Sequence, residues 1–118
     1  MKKTIGILFA SVIAMVALAV PTLGAGAAQT VRVTEVDGRI SLSARPKAGV
    51  VKFVVRNAGG DAHDLWVRGG GKRFKSRVLI PGKSATVIAT LKRGVRYSYW
   101  CGVSDHAEEG MRGSFVAR

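Results

Sequence analysis

The sequence predicts an all-β domain, a sandwich or barrel of about seven to eight strands. Short runs rich in Val, Ile, Phe and Tyr are separated by Gly, Pro, Asn and Asp. Their apolar residues recur with a period of two, and no stretch after the N-terminal segment sustains the 3.6-residue period of a helix. About ninety residues follow that segment, enough for one small core and too few for a second domain.

The N-terminal segment reads as a secretory signal peptide over residues 1–27. A charged start, Met1-Lys2-Lys3, precedes an apolar run from Ile5 to Val20 and then the small residues Ala25-Gly26-Ala27. Cleavage is expected after Ala27, with Ala28 the neighbouring choice, leaving residues 28–118 as the mature domain. A retained membrane anchor is the alternative. The run falls short of the roughly 20 residues of a spanning helix, and Pro21 with small residues follows it in place of a basic stop-transfer flank. Both readings put the folded part outside the cytoplasm, in the periplasm or beyond the cell.

Strands are expected over Thr30–Val36, Arg39–Ser43, Gly49–Asn57, His63–Arg68, Ser76–Ile80, Ser84–Leu91, Val95–Cys101 and Arg112–Ala117. The turns between them have mechanisms. Asp37-Gly38 suits a tight hairpin, Asn57-Ala-Gly-Gly60 allows positive φ, and Pro81-Gly82 presets φ ahead of a turn. Alternation puts Val51, Phe53 and Val55 on one buried face and Val87, Ala89 and Leu91 on another. Tyr97 and Tyr99 share a face of their strand opposite Trp100, so one aromatic set is expected to pack inward.

Without Lys2 and Lys3 the chain keeps 17 basic and 7 acidic side chains, a formal charge of +10. The densest basic group, Arg68, Lys72, Arg73, Lys75 and Arg77, surrounds Gly69-Gly70-Gly71 and is expected to be a loop. Export and the lack of an aromatic-rich strand face argue against nucleic acid. An acidic protein or an anionic surface fits the charge better.

Cys101 is the sole cysteine. An internal disulfide is therefore excluded, and a free thiol outside the cytoplasm needs a use. A buried inert thiol or an intermolecular bridge would supply one. Its neighbours favour metal ligation: Cys101, His106 and Met111 lie within eleven residues, and a thiolate, an imidazole and a thioether together suit copper better than magnesium, calcium or a structural zinc. The other histidine, His63, can close a trigonal His2Cys set with Met111 as a weak axial ligand. Zinc competes for His2Cys, and Glu108 or Glu109 competes with Met111 for the fourth position.

These residues resemble the cupredoxin, or small blue copper protein, family. Asn57 to His63 corresponds to the family's upstream histidine after an Asn-x-Gly-type turn. Tyr97-Ser-Tyr99-Trp-Cys101, His106 and Gly110-Met111-Arg-Gly113 correspond to its C-terminal ligand segment, and Leu79-Ile-Pro81-Gly82 to a turn before a core strand. The likeness spans roughly Gly49 to Arg118. It implies a Greek-key sandwich that binds one type 1 copper ion through His63, Cys101, His106 and Met111. It also implies a monomeric one-electron carrier, with His106 as the ligand nearest the surface and an apolar patch around it that docks a redox partner.

Two departures stand out. Ser104-Asp105 replaces the family's frequent Pro-Gly before the loop histidine, which implies a looser loop. Asp64 follows His63 where many members have Asn; its carboxylate can accept the same backbone donors, and its charge favours Cu(II) and lowers the reduction potential. The expected function is electron transfer with an acidic redox partner, no nucleic acid and no stable membrane insertion after signal removal. Copper delivery or storage is the alternative, a metal-free sandwich a weaker one. An enzyme is not expected, because the closed ligand set leaves no open coordination position.

Overall fold

The computed structural model describes residues 2–4, 6, 10–16 and 27–118. Much of the expected signal segment, including Ala25-Gly26 at its end, lies outside the described residues. Among the described residues no helix is long and apolar enough to cross a membrane.

Residues 29–116 form two four-stranded sheets. The strands are β1 (Gln29–Val36), β2 (Arg39–Leu42), β3 (Gly49–Asn57), β4 (Trp66–Gly69), β5 (Lys72–Lys75), β6 (Ser84–Leu91), β7 (Arg96–Trp100) and β8 (Arg112–Val116). One sheet has the order β2-β1-β3-β6, the other β5-β4-β7-β8. All pairs are antiparallel except β1 with β3. The chain passes from one sheet to the other after β3, β5 and β6, which makes the expected sandwich.

The period-two pattern decides what lies between the sheets. Val31 and Val33 of β1, Val51, Phe53 and Val55 of β3, and Val87, Ala89 and Leu91 of β6 point inward from one side. Leu65, Val67, Tyr97 and Phe115 meet them from the other. Tyr97 stacks on Phe115, and its hydroxyl accepts the Lys92 amide at 2.8 Å, so the one polar atom of that buried ring is satisfied. Tyr99 stacks on the same Phe115, and Trp100 faces outward as expected.

The order of elements departs from the sequence reading in one region. Ser76–Ile80 is not a strand: of its apolar residues only Leu79 is buried, through a two-residue bridge with His63, while Val78 and Ile80 are exposed. The missing strand is β5, inside the basic group expected to be a loop. Gly70 and Gly71, with φ of 57° and 75°, make the β4–β5 turn. His63 itself precedes β4, which begins at Trp66.

At the end of that hairpin a Cβ on Gly69 would lie 2.6 Å from the Arg96 carbonyl oxygen as well as against the Tyr97 ring. The backbone oxygen belongs to the neighbouring strand and cannot swing away. Gly69→Ala is therefore expected to destabilise the domain by about 1–3 kcal/mol, the usual range for overpacking. A urea unfolding midpoint equal to that of the parent would show that β4 can move away from β7 at no cost.

Candidate metal centre

The site lies where the β3–β4 connection meets the loop after β7, and backbone hydrogen bonds fix both. Asn57, buried at the end of β3, donates from Nδ2 to the carbonyls of Asp61 (2.7 Å) and Leu79 (2.8 Å) and accepts the Gly59 amide at Oδ1. His63 then exchanges two backbone hydrogen bonds with Leu79, at 3.0 and 2.7 Å. In the second loop the Cys101 amide donates to the Met111 carbonyl and the Met111 amide to the His106 carbonyl, each at 3.0 Å. The ligand loop is thus closed on itself despite the Ser104-Asp105 departure. Ser104 absorbs the turn with φ of 49°, a left-handed conformation that a non-glycine residue adopts at a cost of order 1–2 kcal/mol.

All four sequence-predicted ligand residues come to this place. His63, Cys101 and Met111 are fully buried, and His106 keeps 13 % of its side chain exposed. His63 Nδ1 and His106 Nδ1 are 3.2 Å apart, and each lies 3.7 Å from Cys101 Sγ. A point equidistant from those three atoms lies roughly 2.1 Å from each, against about 2.0–2.1 Å for metal–imidazole and 2.3 Å for metal–thiolate bonds. The three donors are therefore spaced to hold a single ion. Glu108 and Glu109, the carboxylate competitors for the fourth position, are exposed and stand outside this cluster, whereas Met111 is buried and hydrogen-bonded through its backbone to both Cys101 and His106. A soft thioether beside a His2Cys triangle is the arrangement of a type 1 copper site.

Metal-free, the thiol is held protonated: burial pushes the Cys101 pKa up, against the opposing pull of the Asp64 and Val103 amides. A metal entering the site must therefore displace a proton.

Asp64 accepts a backbone donor of the ligand loop, as the sequence suggested. Its Oδ1 accepts the Gly102 amide at 2.6 Å and its Oδ2 the Trp66 indole N–H at 3.0 Å, tying the segment after His63 to the segment after Cys101.

One functional residue escaped the sequence reading. Asp37, in the β1–β2 turn, accepts from His63 Nε2 at 2.8 Å and from the Gly60 and Asp61 amides at 3.1–3.2 Å. The His63 hydrogen bond first, then those amides, hold its carboxyl below the usual carboxylate range. An ionised Asp37 can only accept. The proton of His63 is thereby placed on Nε2, and the lone pair of Nδ1 is left facing Cys101 and His106. Gly59 leaves the room for this contact, since a Cβ there would come within 3.0 Å of His63 Nε2. The glycines of the Asn57 turn thus serve close approach, whereas the sequence suggested positive φ.

Because Asp37 fixes both the ring orientation and the tautomer, Asp37→Ala is expected to weaken metal binding about 10–100-fold, with Asp37→Asn in between. Competition against a chromophoric chelator measures this; equal affinities would mean that His63 is oriented by its backbone alone.

No protein-family model matches the sequence, and a search of curated proteins finds no match. Solved structures do match. Dithionite-reduced auracyanin from Roseiflexus castenholzii is 16% identical with a TM-score of 0.65, over 79% of this chain and 99% of that one. Auracyanin B is 19% identical with a TM-score of 0.66, over 77% of this chain and 89% of that one. A multicopper oxidase is 18% identical with a TM-score of 0.55, over 75% of this chain and 41% of its own. At these identities the likeness shows the fold, and the fold is the cupredoxin-like sandwich that the sequence predicts.

Proposed function

On a cupredoxin-like sandwich holding His63, Cys101, His106 and Met111 together, we propose an exported mononuclear copper protein that carries single electrons between redox partners. The observation that carries this reading is the buried triangle of two imidazole nitrogens and a cysteine sulfur with the dimensions of one metal ion. Copper bound there supplies a one-electron Cu(II)/Cu(I) couple.

The chain supplies the rest. Asn57, the His63–Leu79 bridge and the closed ligand loop hold the donors in place, so little rearrangement accompanies a change of oxidation state. Burial of Cys101 and Met111 excludes water from the sulfur side. Four protein donors leave no open position for a substrate, which favours a carrier over an enzyme. The signal-like N-terminus supports export, because a free thiol with metal-ligating neighbours then has a stable use.

The test is addition of Cu(II) to the purified protein, followed by repeated reduction and reoxidation in the presence of a Cu(I) chelator. A carrier develops an intense visible thiolate-to-copper band that bleaches and returns with copper retained. Loss of copper to the chelator in the first reduced phase would replace electron transfer with copper delivery. A colourless protein would sink the type 1 copper reading and leave zinc binding, Cu(I) delivery or a metal-free sandwich in its place.

A further inference from the structure

The acidic side chains of this chain are gathered at one end of the molecule, whereas the basic ones are spread over it. All seven carboxylates belong to the metal end: Glu35 and Asp37 at the end of β1 and its turn, Asp61 and Asp64 flanking His63, and Asp105, Glu108 and Glu109 in the ligand loop. The two groups of loops touch, because Asp37 binds the Gly60 and Asp61 amides and a Cβ on Gly110 would meet the Gly38 carbonyl at 2.8 Å. Asp61 lies 3.9 Å from His106 Nε2. The partly exposed His106 thus has the exposed carboxylate of Asp61 beside it and those of Asp105, Glu108 and Glu109 in its own loop, an unfavourable surface for the acidic partner that the +10 charge calls for.

The outer face of the β5-β4-β7-β8 sheet has the opposite character. Register and alternation place Arg68, Arg73, Lys75, Arg96 and Arg112 on it, all exposed, with no carboxylate among them. At its metal-side end the cross-strand pair Trp66 and Trp100 stack with centroids 5.8 Å apart and planes 14° from parallel. Arg73 and Lys75 sit 5.3 and 4.9 Å from the Trp66 ring. The pair is joined to the ligands from both sides. Trp100 is the residue before Cys101, and Trp66 donates to Asp64, the residue after His63. The other sheet's outer face is also basic, through Arg32, Arg39, Lys52 and Arg56, but its cations are interleaved with Thr, Ser and the separate aliphatic side chains of Val50, Val54 and Ile88, and it carries no aromatic pair.

We propose that the outer face of the β5-β4-β7-β8 sheet, centred on Trp66 and Trp100, docks an acidic protein partner, in place of the His106 edge. The docking rests on charge placement alone; its use for electron transfer rests on the carrier reading above. Desolvated carboxylates of the partner pair with the arginines, and the tryptophans supply the flat apolar centre that such interfaces need.

The chain's two tryptophans both lie on this face, so indole emission reports its occupancy. The protein as purified is titrated with a deca-glutamate peptide at low salt, by emission and by calorimetry. Arg73→Glu/Lys75→Glu and, as a pair that leaves the cations on Trp66 in place, Arg68→Glu/Arg112→Glu are compared with Arg32→Glu/Lys52→Glu on the opposite face. The net charge change is the same in all three. The proposal expects both first pairs to weaken binding about tenfold or more and to abolish the emission change, and the third to stay within about twofold. Equal weakening by all three pairs would reduce the effect to net charge. Strong binding of phosphatidylglycerol vesicles through this face, with none of the peptide, would assign it to a membrane surface. Either result overturns the proposal. Failure of the protein to bind copper leaves it standing and removes only the electron-transfer use.

Discussion

Cys101→Ser abolishes the visible charge-transfer band that Cu(II) produces in the parent protein. The band requires a sulfur donor, and Cys101 is the chain's sole thiol, 3.7 Å from each imidazole nitrogen. A serine hydroxyl is a hard donor that stays protonated near neutral pH, so it neither absorbs nor holds soft copper well. Copper affinity should fall by more than the roughly 10–100-fold that loss of an outer partner such as Asp37 costs. The fold should survive. A hydroxyl buried at this position costs the metal-free domain about 1–3 kcal/mol, and Cys101→Ala, which buries no polar atom, separates ligation from stability. Circular dichroism and the visible spectrum are recorded on the same samples. A band that persists in both variants would mean that Cys101 is not the sulfur in question, and the metal centre would have to be withdrawn.

The ligands are legible in the sequence because of where they sit. Three lie in one loop, and the fourth was found by elimination, because the sequence has a single other histidine. The core strands were equally open to reading, since the inward positions of β1, β3 and β6 carry apolar side chains at every second residue, although Val50, Val54 and Ile88 interrupt the polar outer face and Glu35 the inner one. β5 was hidden for a physical reason. Lys72-Arg73-Phe74-Lys75 is an edge strand with one half-buried side chain, so alternation had almost nothing to show. Ser76 to Ile80 looked like a strand because Val78, Leu79 and Ile80 are apolar, yet of these three the bridge to His63 buries only Leu79. Asp37 was beyond the reach of sequence pattern. Its role depends on the parallel β1–β3 register, in which Glu35 pairs with Asn57, so that the β1–β2 turn falls against the His63 loop, 26 residues away.

The same register buries Glu35, and the second large effect follows from it. Glu35 occupies an inward position after Val31 and Val33, fully buried, and neither carboxylate oxygen has a hydrogen-bond partner among the described residues. Burial first, and the Asp64 charge second, push its pKa from 4.5 up to about 8. In the unfolded chain Glu35 loses its proton near pH 4.5; in the folded metal-free protein it keeps it until about pH 8. Between those values the unfolded state binds fewer protons, so stability falls as pH rises, by about 1.4 kcal/mol per unit. Across the whole window the loss is roughly 5 kcal/mol, a large share of the roughly 5–15 kcal/mol available to a small domain. Below pH 4.5 both states are protonated and this penalty vanishes. Glu35→Gln removes the ionisation but keeps an unpartnered polar group. Glu35→Leu removes both and should be the more stable at every pH. Urea unfolding of the metal-free proteins at pH 5, 6.5 and 8 is the measurement. The parent should lose ground to both variants steadily as pH rises, and the two variants should run parallel to each other. A parent-to-variant difference that stays constant from pH 5 to 8 would mean that Glu35 finds a partner when charged, and that the β1 end opens to admit one.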